Sequence, residues 1–293
     1  MLRVVRKRIT VYLFRIIYLM SYLFPLKFYQ KIGGVIGLTG YYFIPKYRNI
    51  AIKNVKSVLL KNDKQAKNLV KKVFINQAKN FFELLQMSKL NRDDVLKYIE
   101  IKNIHNLKNA FEKKKGVILL TAHFGNWELI GAVICFYKFP LNVIARKIYI
   151  DEFNQILIKI REKFGEKVIL RGEIFSAKYI LKALKKGEII AMLIDQNTKS
   201  VPGIYVNFLN KIAYTPIGPA AISLRSKCSL VPAFIYKNKN NKHTVEFLPE
   251  VELIRTNDYK YNLLLNTQKF NKIIEKYIQN YPEQWVWFHN RWD

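Results

Sequence analysis

A histidine and a glutamate stand between two apolar segments in the stretch VILLTAHFGNWELIGAVICF, residues 117 to 136. Its first half predicts a buried strand that ends just before His123, and its second half predicts a helix with Glu128 in the first turn. On one continuous helix these side chains would point about 140° apart, but on a loop and the following helix they can converge. A carboxylate that holds one imidazole nitrogen makes the other a better base. The pattern predicts His123 as a general base oriented by Glu128; the structural alternative is a strand-end histidine beside a helix-start acid.

Short apolar runs alternate with amphipathic helices around this stretch, after a mainly helical region at 47–107. This alternation predicts an α/β domain with a mostly parallel or mixed central sheet flanked by helices. Asn126 is expected to cap the helix that contains Glu128. His123 then lies at the carboxyl edge of the sheet, where ligands bind in open α/β folds. The predicted strands are 117–122, 141–145, 167–170, 189–194, 205–208, 230–236 and 243–249, and the predicted helices are 127–137, 152–164, 173–185, 216–225 and 259–280.

The charge of the chain indicates an anionic partner. Lys and Arg total 50 against 21 acidic residues in 293, a formal charge of +29. Nucleic acid, acidic lipid and a phosphorylated substrate all fit such an excess, although a Lys-, Asn- and Ile-rich composition accounts for part of it. No nucleic-acid-binding module is recognisable, and the aromatic residues lie within apolar runs, so we expect no nucleic acid partner. A non-catalytic basic protein that binds a membrane or nucleic acid remains the alternative from another class.

Two cysteines, Cys135 and Cys228, stand in separate apolar runs. Neither has a second cysteine or a histidine cluster nearby, so we expect buried free thiols in a reducing compartment. The sequence implies neither a metal nor a redox cofactor.

The N-terminal segment predicts membrane association. MLRVVRKR is strongly basic, and the apolar stretch from Ile9 to Leu26 that follows is interrupted by Arg15. A full span needs about 20 apolar residues, so this stretch fits a membrane-anchoring helix that is either a short span or an interfacial helix. The alternative is an amphipathic helix packed on the domain. We therefore divide the chain into a membrane-associating segment, 1–45, and a catalytic domain, 46–293.

Four ordered blocks resemble the lauroyl/myristoyl late acyltransferases of bacterial lipid A biosynthesis, within the glycerolipid acyltransferases that share the motif H-x-x-x-x-[DE]. The blocks span most of the chain and are AHFGNWE (122–128), IDQN (194–197), VNFLNKIAYTPIGPAAISLRSKCSLVPAF (206–234) and YPEQWVWFHNRW (281–292). The resemblance implies transfer of a fatty acyl chain from acyl carrier protein to a hydroxyl of a lipid A precursor, with His123 and Glu128 as the catalytic dyad.

The same resemblance implies the remaining site residues and the location. The residues around the dyad are expected to contact substrate, as are the basic residues after the second predicted strand and around the third, which would hold the phosphorylated acceptor. Asp195 and Gln196, which end a strand at the same edge, are expected to shape the site. The partners are then acyl carrier protein and an anionic glycolipid, at the cytoplasmic face of the inner membrane. Arg146 stands in ARKIY without the neighbouring proline of many members, which leaves the acceptor open, since related enzymes acylate mannosylated phosphatidylinositol. The expected substrate-binding residues are Phe124, Gly125, Asn126, Trp127, Arg146, Lys147, Arg161 and Arg171. The C-terminal block, with His289, is interpreted as packing.

Overall fold

Helices form the N-terminal part of the fold in the computed structural model, which describes residues 11–12, 16–19, 23–146, 151–170, 176–238 and 242–292. The longest of them, α3 (Asp63–Met87), begins with a capping box: the Asn62 side chain accepts from the backbone N–H of Gln65, and the Gln65 side chain accepts from the N–H of Asn62. The helices are α1 (Leu26–Phe43), α2 (Pro45–Leu59), α3 (Asp63–Met87) and the short α4 (Arg92–Lys97).

A seven-stranded mixed sheet forms the centre of the molecule. Its strands are β1 (Ile99–Lys102), β2 (Val117–Thr121), β3 (Leu141–Ala145), β4 (Lys167–Leu170), β5 (Ile189–Leu193), β8 (Ser229–Lys237) and β9 (His243–Phe247). Their spatial order is β1-β9-β8-β2-β5-β3-β4, and every pairing is parallel except that between β8 and β9. A separate antiparallel pair consists of β6 (Gly203–Phe208) and β7 (Lys211–Pro216).

Helices cover both faces of the sheet and create two hydrophobic cores. Ile118 and Leu120 of β2 belong to one core, while Val117 and Leu119 belong to the other, because successive side chains on a strand point to opposite faces. The α/β class with a mixed, flanked sheet is thereby confirmed. The remaining helices are α5 (Ile104–Glu112), α6 (Glu128–Phe136), α7 (Asp151–Phe164), α8 (Ser176–Lys185), α9 (Gly218–Ser226) and α10 (Tyr259–Asn280), followed by a 3₁₀ turn at Pro282–Gln284.

Two strands were missing from the sequence-based assignment. β1 lies at the edge of the sheet inside the region assigned as helical, and β7 precedes α9, where the predicted helix began at residue 216. Pro216 instead ends β7, and the helix begins at Gly218. Both strands are short or polar, so their apolar pattern is weak beside that of β2 or β5.

The N-terminal prediction lies largely outside the described residues, which omit 1–10, 13–15 and 20–22. Within the described ranges, the helices all lack the combination of length and apolar character required to cross a bilayer. Both cysteines are free, as expected: Cys228 is buried and Cys135 is partly buried.

Candidate active site

His123 and Asp195 lie side by side at the carboxyl edge of the sheet. β2 and β5 are parallel neighbours, and their register pairs Thr121 with Leu193. His123 and Asp195 each follow the end of these strands by two residues, so the sheet places them at the same level. The apolar sequences of the two strands, buried on both faces, thus determine where the two polar side chains meet.

Two hydrogen bonds join this pair. His123 Nδ1 lies 2.9 Å from Asp195 Oδ1, and the backbone N–H of His123 donates to Asp195 Oδ2 at 3.0 Å. Trp285 Nε1 also donates to Oδ2, at 2.8 Å. The Asp195 side chain is fully buried, whereas that of His123 is 28% exposed. A carboxylate at Nδ1 fixes the tautomer that carries the proton there, which leaves Nε2 with its lone pair available as a base.

Asp195 is held in its ionised form. Burial alone would raise the pKa of its carboxyl, but the charge of His123 and the hydrogen bonds from His123 and Trp285 outweigh burial and lower this pKa to about 2. The negative charge beside the imidazole is therefore present at any physiological pH.

Glu128 does not orient His123, which corrects the sequence-based pairing. In the described part of the chain, no hydrogen bond joins the two residues. Glu128 instead accepts two hydrogen bonds from Arg161, from Nε at 2.9 Å and from Nη2 at 2.7 Å. The spacing along the chain allowed Glu128 to reach the site, but the strand order brought a different carboxylate next to the ring.

The ion pair of Glu128 and Arg161 is largely buried, with side chains 13% and 14% exposed. Burial disfavours the charge on Arg161, yet the attraction of Glu128 and its hydrogen bonds raise the pKa of the guanidinium above its usual value. Trp127 completes the group, because its Nε1 donates to Glu128 at 3.2 Å and its ring meets the His123 ring edge to face at 5.2 Å.

Phe124 and Gly125, which were expected to bind substrate, are both buried in the packed interior beside the site. Phe124 is buried and packs edge to face against Phe234 and Tyr277. Gly125 has φ of +58°, and a Cβ there would lie 2.0 Å from the carbonyl oxygen of Ile235. Its N–H donates to the carbonyl of Gln284 at 2.9 Å.

Asn126 stabilises the turn rather than capping α6 with its side chain. Its amide donates to the carbonyl of Asn80 at 3.1 Å, while the Asn80 amide donates to the carbonyl of Gly125 at 2.8 Å. The helix cap is Trp127, one residue later than predicted, and it has no side-chain capping bond. This pair of asparagines ties the loop after β2 to α3.

Two cavities meet at His123. The larger, here called the groove, has a volume of about 990 Å³, and Ile180 and Met192 on its wall belong to one core of the sheet. The smaller, called the slot, has a volume of about 250 Å³, and Leu119 and Val143 on its wall belong to the core on the opposite face. His123 therefore stands at an edge that is open to both faces.

The predicted basic and polar residues are distributed between these cavities. Arg146, at the end of β3, is exposed and lines both the groove and the slot, and Gln196 lines the groove. Arg161 lines the slot. Lys147 and Arg171 lie outside the described residues.

A third cavity of about 240 Å³, here called the apolar pocket, shares Trp127 with the slot. Side chains of α3 and α7, including Phe81, Leu84, Ile156 and Ile160, form most of its wall. Asn126 and Glu128 line it as well. Glu128 thus stands between this pocket and the slot.

Trp285 was not identified as a site residue from the sequence, although its block was recognised as characteristic. Apart from its bond to Asp195, it is fully buried and its backbone forms an isolated antiparallel bridge with Phe124. His289 meets the Trp285 ring edge to face, and burial lowers the pKa of its imidazole to about 4. In the part of the chain that the structure describes, no group of three His, Cys, Asp or Glu side chains is arranged to hold a metal ion.

Comparison of the sequence with known proteins identifies its family. The sequence model of the bacterial lipid A biosynthesis acyltransferases matches residues 2–293. The chain belongs to this family. It is 26% identical over 199 residues to the lipid A biosynthesis palmitoleoyltransferase of Escherichia coli, a match that covers 67% of this chain and 62% of the relative.

Two further relatives show the range of the similarity. The lipid A biosynthesis lauroyltransferase of Escherichia coli is 24% identical over 203 residues, covering 67% of this chain and 62% of the relative. A phosphatidylinositol mannoside acyltransferase of Mycolicibacterium smegmatis is 20% identical over 168 residues, covering 56% and 55%. The chain thus matches less than two thirds of the length of these curated relatives.

Proposed function

We propose that this protein transfers a fatty acyl chain from acyl carrier protein to a hydroxyl group of a lipid A precursor. The observation that carries the proposal is the pair of His123 and buried, ionised Asp195 at the meeting point of the slot and the groove. Membership of an acyltransferase family supports the reaction type.

His123 acts as the general base in the proposed mechanism. Nε2 takes the proton of the acceptor hydroxyl while its oxygen attacks the thioester carbonyl, and Asp195 stabilises the imidazolium that forms. The tetrahedral intermediate then collapses, the carbon–sulfur bond breaks, and the proton on Nε2 passes to the leaving thiolate. The products are an ester and a free thiol, so His123 ends the cycle neutral.

Arg161 supplies positive charge next to the reacting carbonyl. Because Glu128 holds its guanidinium through two bonds, the orientation of the remaining N–H groups is fixed before substrate arrives. Preorganised donors of this kind stabilise the oxyanion without reorganising during the reaction. Glu128 is then a positioning residue that acts through Arg161.

The two cavities suggest how the substrates divide. The narrow slot between sheet and helices suits the donor acyl chain, whereas the groove is wide enough for a glycolipid headgroup. Three basic residues on the wall of the groove, Arg146, Lys199 and Arg225, are exposed and suit phosphate groups on the acceptor. A mannosylated phosphatidylinositol or another anionic glycolipid fits the same charges and is the alternative acceptor.

The protein is proposed to act at the cytoplasmic face of the inner membrane, where acyl carrier protein can reach it. The basic and apolar segment 1–45 motivates this location. So does α1, on which apolar residues such as Val35 and Phe43 are exposed. Basic residues beside an anionic leaflet contribute about 1 kcal/mol each to binding.

The test compares the full-length protein with His123→Ala, using acyl carrier protein charged with a medium-length chain and a lipid A precursor in mixed micelles. We expect acyl transfer to fall by about 10²- to 10⁴-fold while membrane binding persists. His105→Ala, at an exposed position on α5, is the control. Mass spectrometry of lipid A from cells with and without the gene identifies the chain added. Unchanged transfer by the His123→Ala protein would overturn His123 as the general base, and absence of transfer by the wild-type protein would leave a non-catalytic membrane-binding role.

A further inference from the structure

Two buried polar atoms on the wall of the slot have no hydrogen-bond partner. Oγ1 of Thr121 and Oε1 of Glu166 are both inaccessible to solvent, and each residue is only 4% exposed. Buried polar groups in folded proteins are nearly always hydrogen-bonded, so two buried unsatisfied atoms on one cavity wall require an explanation. A ligand with its own polar group, bound in the slot, would satisfy both.

The fold makes room for these two side chains. Thr121 ends β2, and its side chain points to the same face as Leu119, which also lines the slot. Glu166 precedes β4 and lies against Gly131 of α6, where a Cβ would be 2.4 Å from Glu166 Oε1. Any larger residue at Gly131 would displace the carboxyl group from this position.

Glu166 is suited to bind a neutral oxygen. Burial and the nearby charge of Glu128 raise the pKa of its carboxyl well above the usual value, and the opposing charge of Arg161 does not cancel them. A protonated carboxyl both donates and accepts hydrogen bonds, as the Thr121 hydroxyl also does. Together the two side chains match an alcohol better than an ion.

Apolar residues, among them Leu119, Ile130 and Val143, form most of the remaining wall of the slot, which also carries polar side chains that include the Glu128–Arg161 ion pair. Its volume of about 250 Å³ is several times the roughly 30 Å³ that a water molecule occupies in the liquid. The shape and lining therefore suit a hydrocarbon chain that enters past His123 and carries one polar substituent. A polar acceptor headgroup fits the wide, basic groove instead.

We propose that the slot selects a donor whose acyl chain bears a hydroxyl group, and that Thr121 and Glu166 bind this hydroxyl. The inference rests on the proposed function, because it assigns the donor chain to the slot. It adds a specificity that neither the family nor the relatives' names imply. A site whose side chains hydrogen-bond a substrate hydroxyl typically favours that substrate over the analogue without the hydroxyl.

The test measures the affinity of the full-length protein for acyl carrier protein carrying decanoyl or hydroxydecanoyl chains, in a series of hydroxyl positions. No acceptor is present, so binding is read by fluorescence anisotropy of labelled carrier protein without turnover. We expect one hydroxylated chain to bind about tenfold more tightly than decanoyl. Thr121→Val and Glu166→Leu should each reduce this preference severalfold, measured for each variant as the ratio of its affinities for the hydroxylated and the decanoyl chain.

Glu166→Gln is the matched control, because an amide keeps a donor and an acceptor and should retain most of the preference. Should Glu166→Leu fail to fold, Thr121→Val and Glu166→Gln still decide the matter. Equal affinities for all chains would overturn the inference, and acyl transfer from the decanoyl donor would then leave the proposed function standing. If no acylated carrier protein binds at all, both the inference about the slot and the proposed function are overturned.

Discussion

Asp195 contacts His123 through both of its carboxylate oxygens, although 72 residues separate the two along the chain. One oxygen faces the ring nitrogen and the other accepts the backbone N–H, so both the side chain and the loop of His123 are fixed by one buried group. Trp285, from the C-terminal block, holds the second oxygen. Residues from β2, β5 and the C-terminus thus meet at a single carboxylate.

Asp195→Asn is expected to lower acyl transfer on the order of 10²- to 10⁴-fold. The amide has nearly the same shape, but it lacks the charge that stabilises the imidazolium and can select the wrong tautomer of His123. Initial rates with saturating donor measure the loss, and circular dichroism checks the fold. Asp93→Asn, an exposed residue in the first turn of α4, is the control. A rate within about twofold of wild type would exclude Asp195 as the positioning group.

Glu128 and Arg161 are expected to behave as a unit in a double-mutant cycle. Glu128→Gln and Arg161→Met should each reduce activity and cost about 3–5 kcal/mol of unfolding free energy, because each leaves the partner buried and uncompensated. The double variant should be less destabilised than the sum of the two singles. Urea unfolding in detergent measures the unfolding free energy, and acyl transfer rates measure the activity.

The cycle also separates Glu128 from Asp195. If Glu128 oriented His123 directly, the effect of Glu128→Gln on activity would depend on whether Asp195 is present, and not on whether Arg161 is present. We expect the opposite: strong coupling to Arg161 and near-additive effects with Asp195→Asn. Additivity of Glu128→Gln with Arg161→Met would contradict the role assigned to this ion pair.

The sequence predicted which edge of the sheet holds the site but not which residues pair there. The apolar runs of β2 and β5 are clear signals, and the polar residues that follow each run mark the edge. That β5 is the immediate neighbour of β2 is a property of the strand order, which no local pattern contains. Glu128 lies near in sequence and was therefore preferred over Asp195 as the partner of His123.

Long-range contacts explain the other omissions. Trp285 was interpreted as packing because an aromatic residue in an apolar block gives no sign of where its N–H points. Glu166 stands between a helix and a strand in a charged stretch, REKFGEK, where it resembles any exposed acid. Only the packing of Gly131 against it shows that the carboxyl group is buried.

A second buried carboxylate, that of Glu83, should make the free energy of unfolding depend on pH. Glu83 is fully buried and bonds to His243 Nε2 at 2.7 Å, to Gln30 Nε2 at 2.9 Å and to Lys237 Nζ. Burial alone would raise its pKa, but the hydrogen bond and charge of His243, together with Lys237, lower it to about 2. Its folded pKa is thus below the value of about 4.3 expected in the unfolded chain.

This difference contributes stability that is present above about pH 4.3 and is lost as the pH falls towards about 2, on the order of 2–3 kcal/mol. Glu83→Gln should flatten the fall in unfolding free energy across this range and destabilise the protein at neutral pH by about 3–5 kcal/mol, since Lys237 loses its partner. Glu112→Gln, at an exposed ion pair, is the control. Identical pH profiles for wild type and Glu83→Gln would contradict this assignment.

The outward side of α1 predicts a membrane contact that does not depend on the first residues of the chain. Phe28, Val35 and Tyr42 follow one another at intervals of seven residues, and Ile36 and Phe43 form a neighbouring row; all five are exposed. Such rows form one continuous apolar stripe on a helix. We call this stripe the outer face of α1 and expect it to lie in the headgroup region of the bilayer.

Two charges on this face should weaken binding to the membrane. Full burial of a large apolar side chain is worth about 1.5–3 kcal/mol, so Val35→Glu combined with Ile36→Glu is expected to reduce partitioning to anionic vesicles at least about tenfold. Vesicle sedimentation of the full-length protein measures this. Leu264→Glu, an exposed apolar position on α10, should have little effect. If the double variant sediments as fully as wild type while Leu264→Glu does not, the membrane contacts α10 rather than α1.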